Sequence, residues 1–107
     1  MKRYALTATL RDNAEIIRKY EEYHANAWPE VLEGSYKCGV RRTFIYRKGR
    51  QLFMFMETVD DFDMQRDMPK YKENNPRADE WDSMMREFMV DAWVEMKEVF
   101  GWEARSS

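Results

Sequence analysis

Residues Gln51 to Val59 (QLFMFMETV) alternate as a β-strand does, yet both faces are rich in apolar side chains, with Leu52, Met54 and Met56 opposite Phe53 and Phe55. Such a strand needs cover twice: helices on one side, and a ligand, the chain's own loops or a second subunit on the other. No other stretch restricts the fold as much. Upstream, Val40 to Arg47 alternates Val40, Arg42, Phe44 and Tyr46 against Arg41, Thr43, Ile45 and Arg47. Lys48-Gly49-Arg50 reads as the turn between the two runs, so they pair as an antiparallel hairpin. Lys2 to Leu10 repeats the period, with Tyr4, Leu6, Ala8 and Leu10 on one face, and Val94 to Phe100 reads as a last strand.

Helical spacing fills the gaps. Asp12 or Asn13 can cap a helix in which Ile16 or Ile17, Tyr20 and Tyr23 or Ala27 turn inward. Pro29 cannot sit inside a helix and pushes Trp28 toward an extended conformation, so this helix stops near Ala25 or Asn26. Asn26 can then cap a short second helix with Pro29 and Glu30 in its first turn. After the hairpin, Asp60-Asp61 can cap a helical segment that Pro69 and Lys72 to Pro76 interrupt. Met84, Met85, Phe88, Met89 and Ala92 form the stripe of the last helix, with Trp81 one turn earlier. The order is βαββαβ, an α+β chain on the ferredoxin-like plan, with helices on one face of an antiparallel sheet. With 107 residues and no repeat or linker, residues 1–107 read as one domain, ending in a polar tail at Ala104 to Ser107. A chain of this length buries about 60 to 70% of the surface its unfolded form exposes.

Charge and cysteine content remove several function classes. A net charge of −2 gives no general attraction to a phosphate backbone or an anionic membrane. The one cysteine, Cys38, excludes an internal disulfide and a Cys-rich metal site, and reads as a small core or turn thiol. There is no apolar leader and no run of about 20 apolar residues, so the expectation is a cytoplasmic protein without a membrane partner. The βαββαβ order is shared with RNA-binding RRM modules. However, Arg50, Gln51 and Leu52 stand where the RNP1 stretch needs small residues and a second Gly, so no nucleic acid partner is expected. Arg41, Arg42, Arg47, Lys48 and Arg50 read as a basic hairpin that protects a sheet edge.

Chemistry concentrates in Tyr20 to Glu30, YEEYHANAWPE. Residues four apart share a helix face, so the phenol of Tyr20 and the imidazole of His24, the only histidine, form one wall. Taken alone, that spacing also fits two packed core residues. An imidazole with an ordinary pKa near 6.5 gives and accepts a proton at neutral pH, and a lone histidine argues against a metal site built on several imidazoles. Trp28 and Trp81 can offer flat apolar surface to the C–H face of a sugar, with Tyr20 and Glu30 as polar partners on the rim.

Tyr20, His24 and Trp28-Pro29-Glu30, followed by Gly39, Ile45-Tyr46, Leu52 to Glu57 and Glu98-Val99-Phe100, make a string that resembles the L-rhamnose mutarotase family nearly end to end. The resemblance implies a ferredoxin-like fold of the dimeric α/β barrel type, a homodimer, and an isomerase. It would interconvert the α and β anomers of L-rhamnose, or of a related 6-deoxy sugar such as L-fucose, by general acid–base ring opening. No metal or cofactor is implied. His24 becomes the proton donor and Tyr20 a sugar ligand, and Trp81 carries over from a Trp-Trp pair. Thr43 and Glu80 depart from the family's Tyr and first Trp, which bears on substrate identity. Monooxygenase and haem-degrading enzymes of the same barrel type share the fold without the Trp-Pro-Glu string. The dimer also follows from the hairpin, where Phe53, Phe55 and Ile45 need a partner.

Overall fold

The computed structural model describes residues 1–104. Strand β1 (Lys2–Thr9) leads into helix α1 (Ala14–Ala25) and helix α2 (Pro29–Cys38), followed by the hairpin of β2 (Val40–Lys48) and β3 (Gln51–Thr58). The return path is α3 (Met64–Asp67), a 3₁₀ turn (Met68–Tyr71) and α4 (Pro76–Phe88), ending in β4 (Val94–Met96). The strands lie in the order β2-β3-β1-β4, all antiparallel, which is the ferredoxin-like arrangement.

Strand parity assigns the two sheet faces. Leu6, Ala8, Leu52 and Met56 are buried beneath the helices, and Tyr20, Val31, Trp81, Met85 and Phe88 cluster with Ala8 and Leu52. A second cluster of Cys38, Val40, Met56 and Phe62 closes the end of the layer where α2 runs into β2. On the opposite face, Phe44 pairs across from Phe55 and Tyr46 from Phe53, and these four aromatics line a shallow apolar depression.

The hairpin turn is tighter than the three residues expected. Lys48 pairs with Gln51, leaving Gly49-Arg50 as the loop, with Gly49 in the left-handed region at φ 59°. Val40 does not share a face with Phe44. A bulge between Val40 and Arg42 inserts one residue, so Val40 turns into the core while Phe44 and Tyr46 face outward. Ile45 likewise packs on the helical side and does not belong with Phe53 and Phe55.

Other expectations shift at element ends. Asn13 does cap α1, accepting from the backbone N–H groups of Glu15 and Ile16. Asn26 is the C-cap of α1 and not the cap of α2; α2 starts directly at Pro29 with Trp28 as a cap that has no side-chain bond. Asp60 pairs with the N-terminal ammonium, and the cap of the following helix is Asp63. Helix α4 stops at Phe88. Met89 is buried because its extended backbone bridges to Leu10, and Ala92 lies exposed beyond the helix. The last strand is only three residues long. Past Met96, Glu98 pairs with Arg3 through side chains (2.7 Å) without extending the backbone ladder. Of the polar tail, Arg105 to Ser107 lie outside the described residues.

Candidate active site

Tyr20 and His24 stand one turn apart on α1, and their rings stack at 4.2 Å between centroids with a 32° tilt. Tyr20 is buried and His24 half-buried. The Nδ1 of His24 lies 2.8 Å from the backbone carbonyl oxygen of Tyr20. A carbonyl only accepts, so Nδ1 carries the hydrogen, and in the neutral ring Nε2 holds the free lone pair. Burial lowers the His24 pKa below its ordinary 6.5, and the bond to the Tyr20 carbonyl offsets part of that shift. At neutral pH the ring is a neutral base of fixed tautomer. Burial moves the Tyr20 phenol the opposite way, well above the usual range, so it stays a protonated hydroxyl.

Trp81, on the inner face of α4, closes the other side. Its ring meets His24 edge-on at 5.2 Å and Trp28 at 5.2 Å, and Tyr23 adds a further edge contact at 6.0 Å. The Trp28-Pro29 break thus delivers an indole from the α1–α2 corner onto the helix that carries Trp81. One face of Trp28 is already occupied: the Arg77 guanidinium lies 3.7 Å from its ring centroid and is held by Glu80 at 3.1 Å. Trp28 also borders a groove formed with Arg18, Lys19, Glu22, Tyr23 and Asn26 on the outer flank of α1.

The five residues singled out in the sequence do not all meet in the same way. Tyr20, His24, Trp81 and Trp28 form one continuous aromatic chain. Glu30 is tied to the α2–α4 junction. Its backbone carbonyl accepts a 2.8 Å bond from the Asn75 side chain, while its Oε2 is buried with no hydrogen-bond partner among the described residues. Thr43 is exposed on edge strand β2. Sequence reasoning missed two contributors, Arg77 and Asn75. Asn75 was detectable, because Asn directly before Pro76 is a helix-start signature. Nothing in the local sequence says that Arg77 covers Trp28. Among the described residues, no group of three or more His, Cys, Asp and Glu side chains is placed to hold a metal ion.

The sequence profile of the L-rhamnose mutarotases matches residues 3–102. The chain belongs to the L-rhamnose mutarotase family. It is 30% identical over 90 residues to an L-fucose mutarotase of Xanthomonas campestris pv. campestris, covering 82% of this chain and 71% of that protein. A UPF0734 protein of Dictyostelium discoideum is 41% identical over 87 residues, covering 81% of this chain and 70% of that protein. The crystal structure of an L-rhamnose mutarotase from Formosa agariphila superposes with a TM-score of 0.72 at 23% identity, covering 96% of this chain and all of that one. The chain is accordingly a carbohydrate isomerase that interconverts sugar anomers. Among the described residues, no helix is long and apolar enough to cross a membrane.

Proposed function

We propose that the chain works as one catalytic domain that opens and recloses the pyranose ring of L-rhamnose or a close 6-deoxy relative such as L-fucose, with His24 moving the proton. The observation that carries this reading is the Nδ1 bond to the Tyr20 carbonyl, which leaves Nε2 as the free basic nitrogen beside Tyr20 and Trp81. Nε2 takes the proton of the anomeric hydroxyl. The oxygen's electron pair then forms the carbonyl as the bond from the anomeric carbon to the ring oxygen breaks. The resulting imidazolium gives its proton to the ring oxygen, which becomes a hydroxyl. Rotation about the exposed carbon–carbon bond and the reverse sequence produce the other anomer. Atoms and charge balance with one histidine and no cofactor, and positioned acid–base groups of this kind contribute about 10² to 10⁴ in rate.

Tyr20 serves as a neutral hydroxyl partner for the sugar and Trp81 and Trp28 supply apolar wall, whereas Glu30 would have to turn its buried Oε2 out of the α2–α4 junction to accept from a sugar hydroxyl. Loss of the Tyr and Trp that Thr43 and Glu80 replace bears on which sugar fits, and the Arg77–Glu80 pair over Trp28 gives this rim a charge pattern of its own. The working molecule is a cytoplasmic homodimer, supported by the outward aromatics of β2 and β3 and by the single free thiol, Cys38. Saturation-transfer NMR at the anomeric protons tests the function. L-Rhamnose or L-fucose exchange should be accelerated in preference to D-glucose; equal acceleration of all three would overturn a selective site.

A further inference from the structure

We infer that Asn75 is a positioning residue of the sugar site, a two-ended amide that fixes the Trp28-Pro29-Glu30 corner against α4 and so sets Trp81 against His24. This rests on the placement of the site at His24 proposed above. The Oδ1 of Asn75 accepts from the Ala78 backbone N–H at 3.2 Å and caps α4, while its Nδ2 donates to the Glu30 carbonyl at 2.8 Å in the first turn of α2. One side chain therefore holds the starts of two helices.

Three features of the surroundings support the assignment. The start of α2 has no side-chain cap of its own, because its N-cap is Trp28, so the bond from Asn75 is a hold from outside the helix. The two segments also approach closely. A Cβ on Gly34 would meet the Tyr71 carbonyl oxygen at 2.6 Å and Asn75 Nδ2 at 3.3 Å, so only glycine permits this distance. The preceding residue, Asn74, is in the left-handed region at φ 53°, a conformation most side chains avoid and asparagine tolerates. Together these aim the Asn75 amide at the corner.

The consequence passes along α4. Ala78, whose N–H Asn75 holds, is fully buried, and Trp81 follows one turn later on the same face. There the indole meets Trp28 from the corner and His24 from α1, each at 5.2 Å. A slip between α2 and α4 would be felt at the ring against which His24 packs. Only an amide serves both ends: aspartate can cap but cannot donate, and serine can cap but is too short to reach the Glu30 carbonyl.

The test compares the parent protein with Asn75→Ser and Asn75→Asp, both of which retain a helix cap. Anomer exchange on L-rhamnose and L-fucose is measured alongside thermal melting and NMR titration of His24, whose signal is unambiguous because it is the only histidine. A misplacement of about 1 Å can cost as much as ~10² in rate, so exchange at saturating sugar should fall about tenfold or more while KM changes little. In Asn75→Ser, the His24 titration should move up toward its ordinary 6.5 as water reaches a loosened ring. A folded Asn75→Ser protein with the parent exchange rate and an unchanged His24 titration overturns the assignment. If that variant does not fold, Asn75→Asp decides the matter through the same comparison of kcat with KM. Should the parent fail to exchange either sugar, the proposed function fails, and the His24 titration in Asn75→Ser still decides whether Asn75 governs that ring.

Discussion

His24 is oriented by its neighbour's backbone, and that sets what its removal should do. His24→Ala keeps α1 and leaves no large cavity, so anomer exchange should drop by roughly 10² or more while thermal melting changes little. Parent-rate exchange by a folded variant would shift attention to Glu30. Tyr20→Phe keeps the backbone carbonyl and the ring packing and loses only the hydroxyl, so KM should rise more than kcat falls. The pH dependence follows from the sign of the His24 shift. Its folded pKa lies below 6.5, so the neutral, reactive ring persists under mildly acidic conditions, and exchange should fall only as pH drops below that value. Stability shows the same sense: the unfolded chain binds the proton more readily, so the contribution of His24 is complete above pH 6.5 and is lost as pH falls through the folded pKa. A rate that declined on the alkaline side of 6.5, with no acid limb, would contradict this base assignment. At this scale, the Tyr20–His24 pairing was legible because i, i+4 spacing alone determines it. The cover of Trp28 by Arg77 was not, since it joins side chains from distant stretches through α4's approach.

At the scale of elements, strand periods and the Pro29 break predicted their counterparts, while ends and bulges departed from local pattern. The Asn26 and Asp60-Asp61 assignments failed for different reasons: Asn26 is drawn into the end of α1, where its backbone N–H bonds the Tyr23 carbonyl, whereas Asp60 pairs with the N-terminal ammonium and Asp63, directly before Met64, takes the cap. The Arg41 bulge was invisible to a period-2 count, because one inserted residue leaves alternation intact on both sides. The close seat of α2 on the 3₁₀ turn gives a stability prediction. Gly34→Ala would put a methyl group 2.6 Å from the Tyr71 carbonyl oxygen, forcing the elements apart, so it should lower unfolding free energy by about 1–3 kcal/mol. Chemical denaturation would measure this, and a midpoint equal to the parent's would mean that the junction yields freely.

For the whole molecule, the open sheet face exposes Phe44, Tyr46 and Phe53, and Val99, Phe100 and Trp102 extend the exposed apolar surface through the tail. A homodimer is expected by light scattering at micromolar concentration, and Phe53→Lys should shift it toward the monomer; a parent protein of strictly monomeric mass would refute the proposed assembly. The two-sidedness of β3 also has an evolutionary consequence. Even-numbered positions Leu52, Met54 and Met56 answer to the helical layer beneath the site, whereas Phe53 and Phe55 answer to whatever covers the other face. Neighbouring residues of one strand thus meet separate physical constraints. If the proposed dimer forms through this face, a lineage could remodel it through odd-numbered substitutions alone, and drift at those positions should correlate with changes in assembly while leaving the sugar chemistry intact.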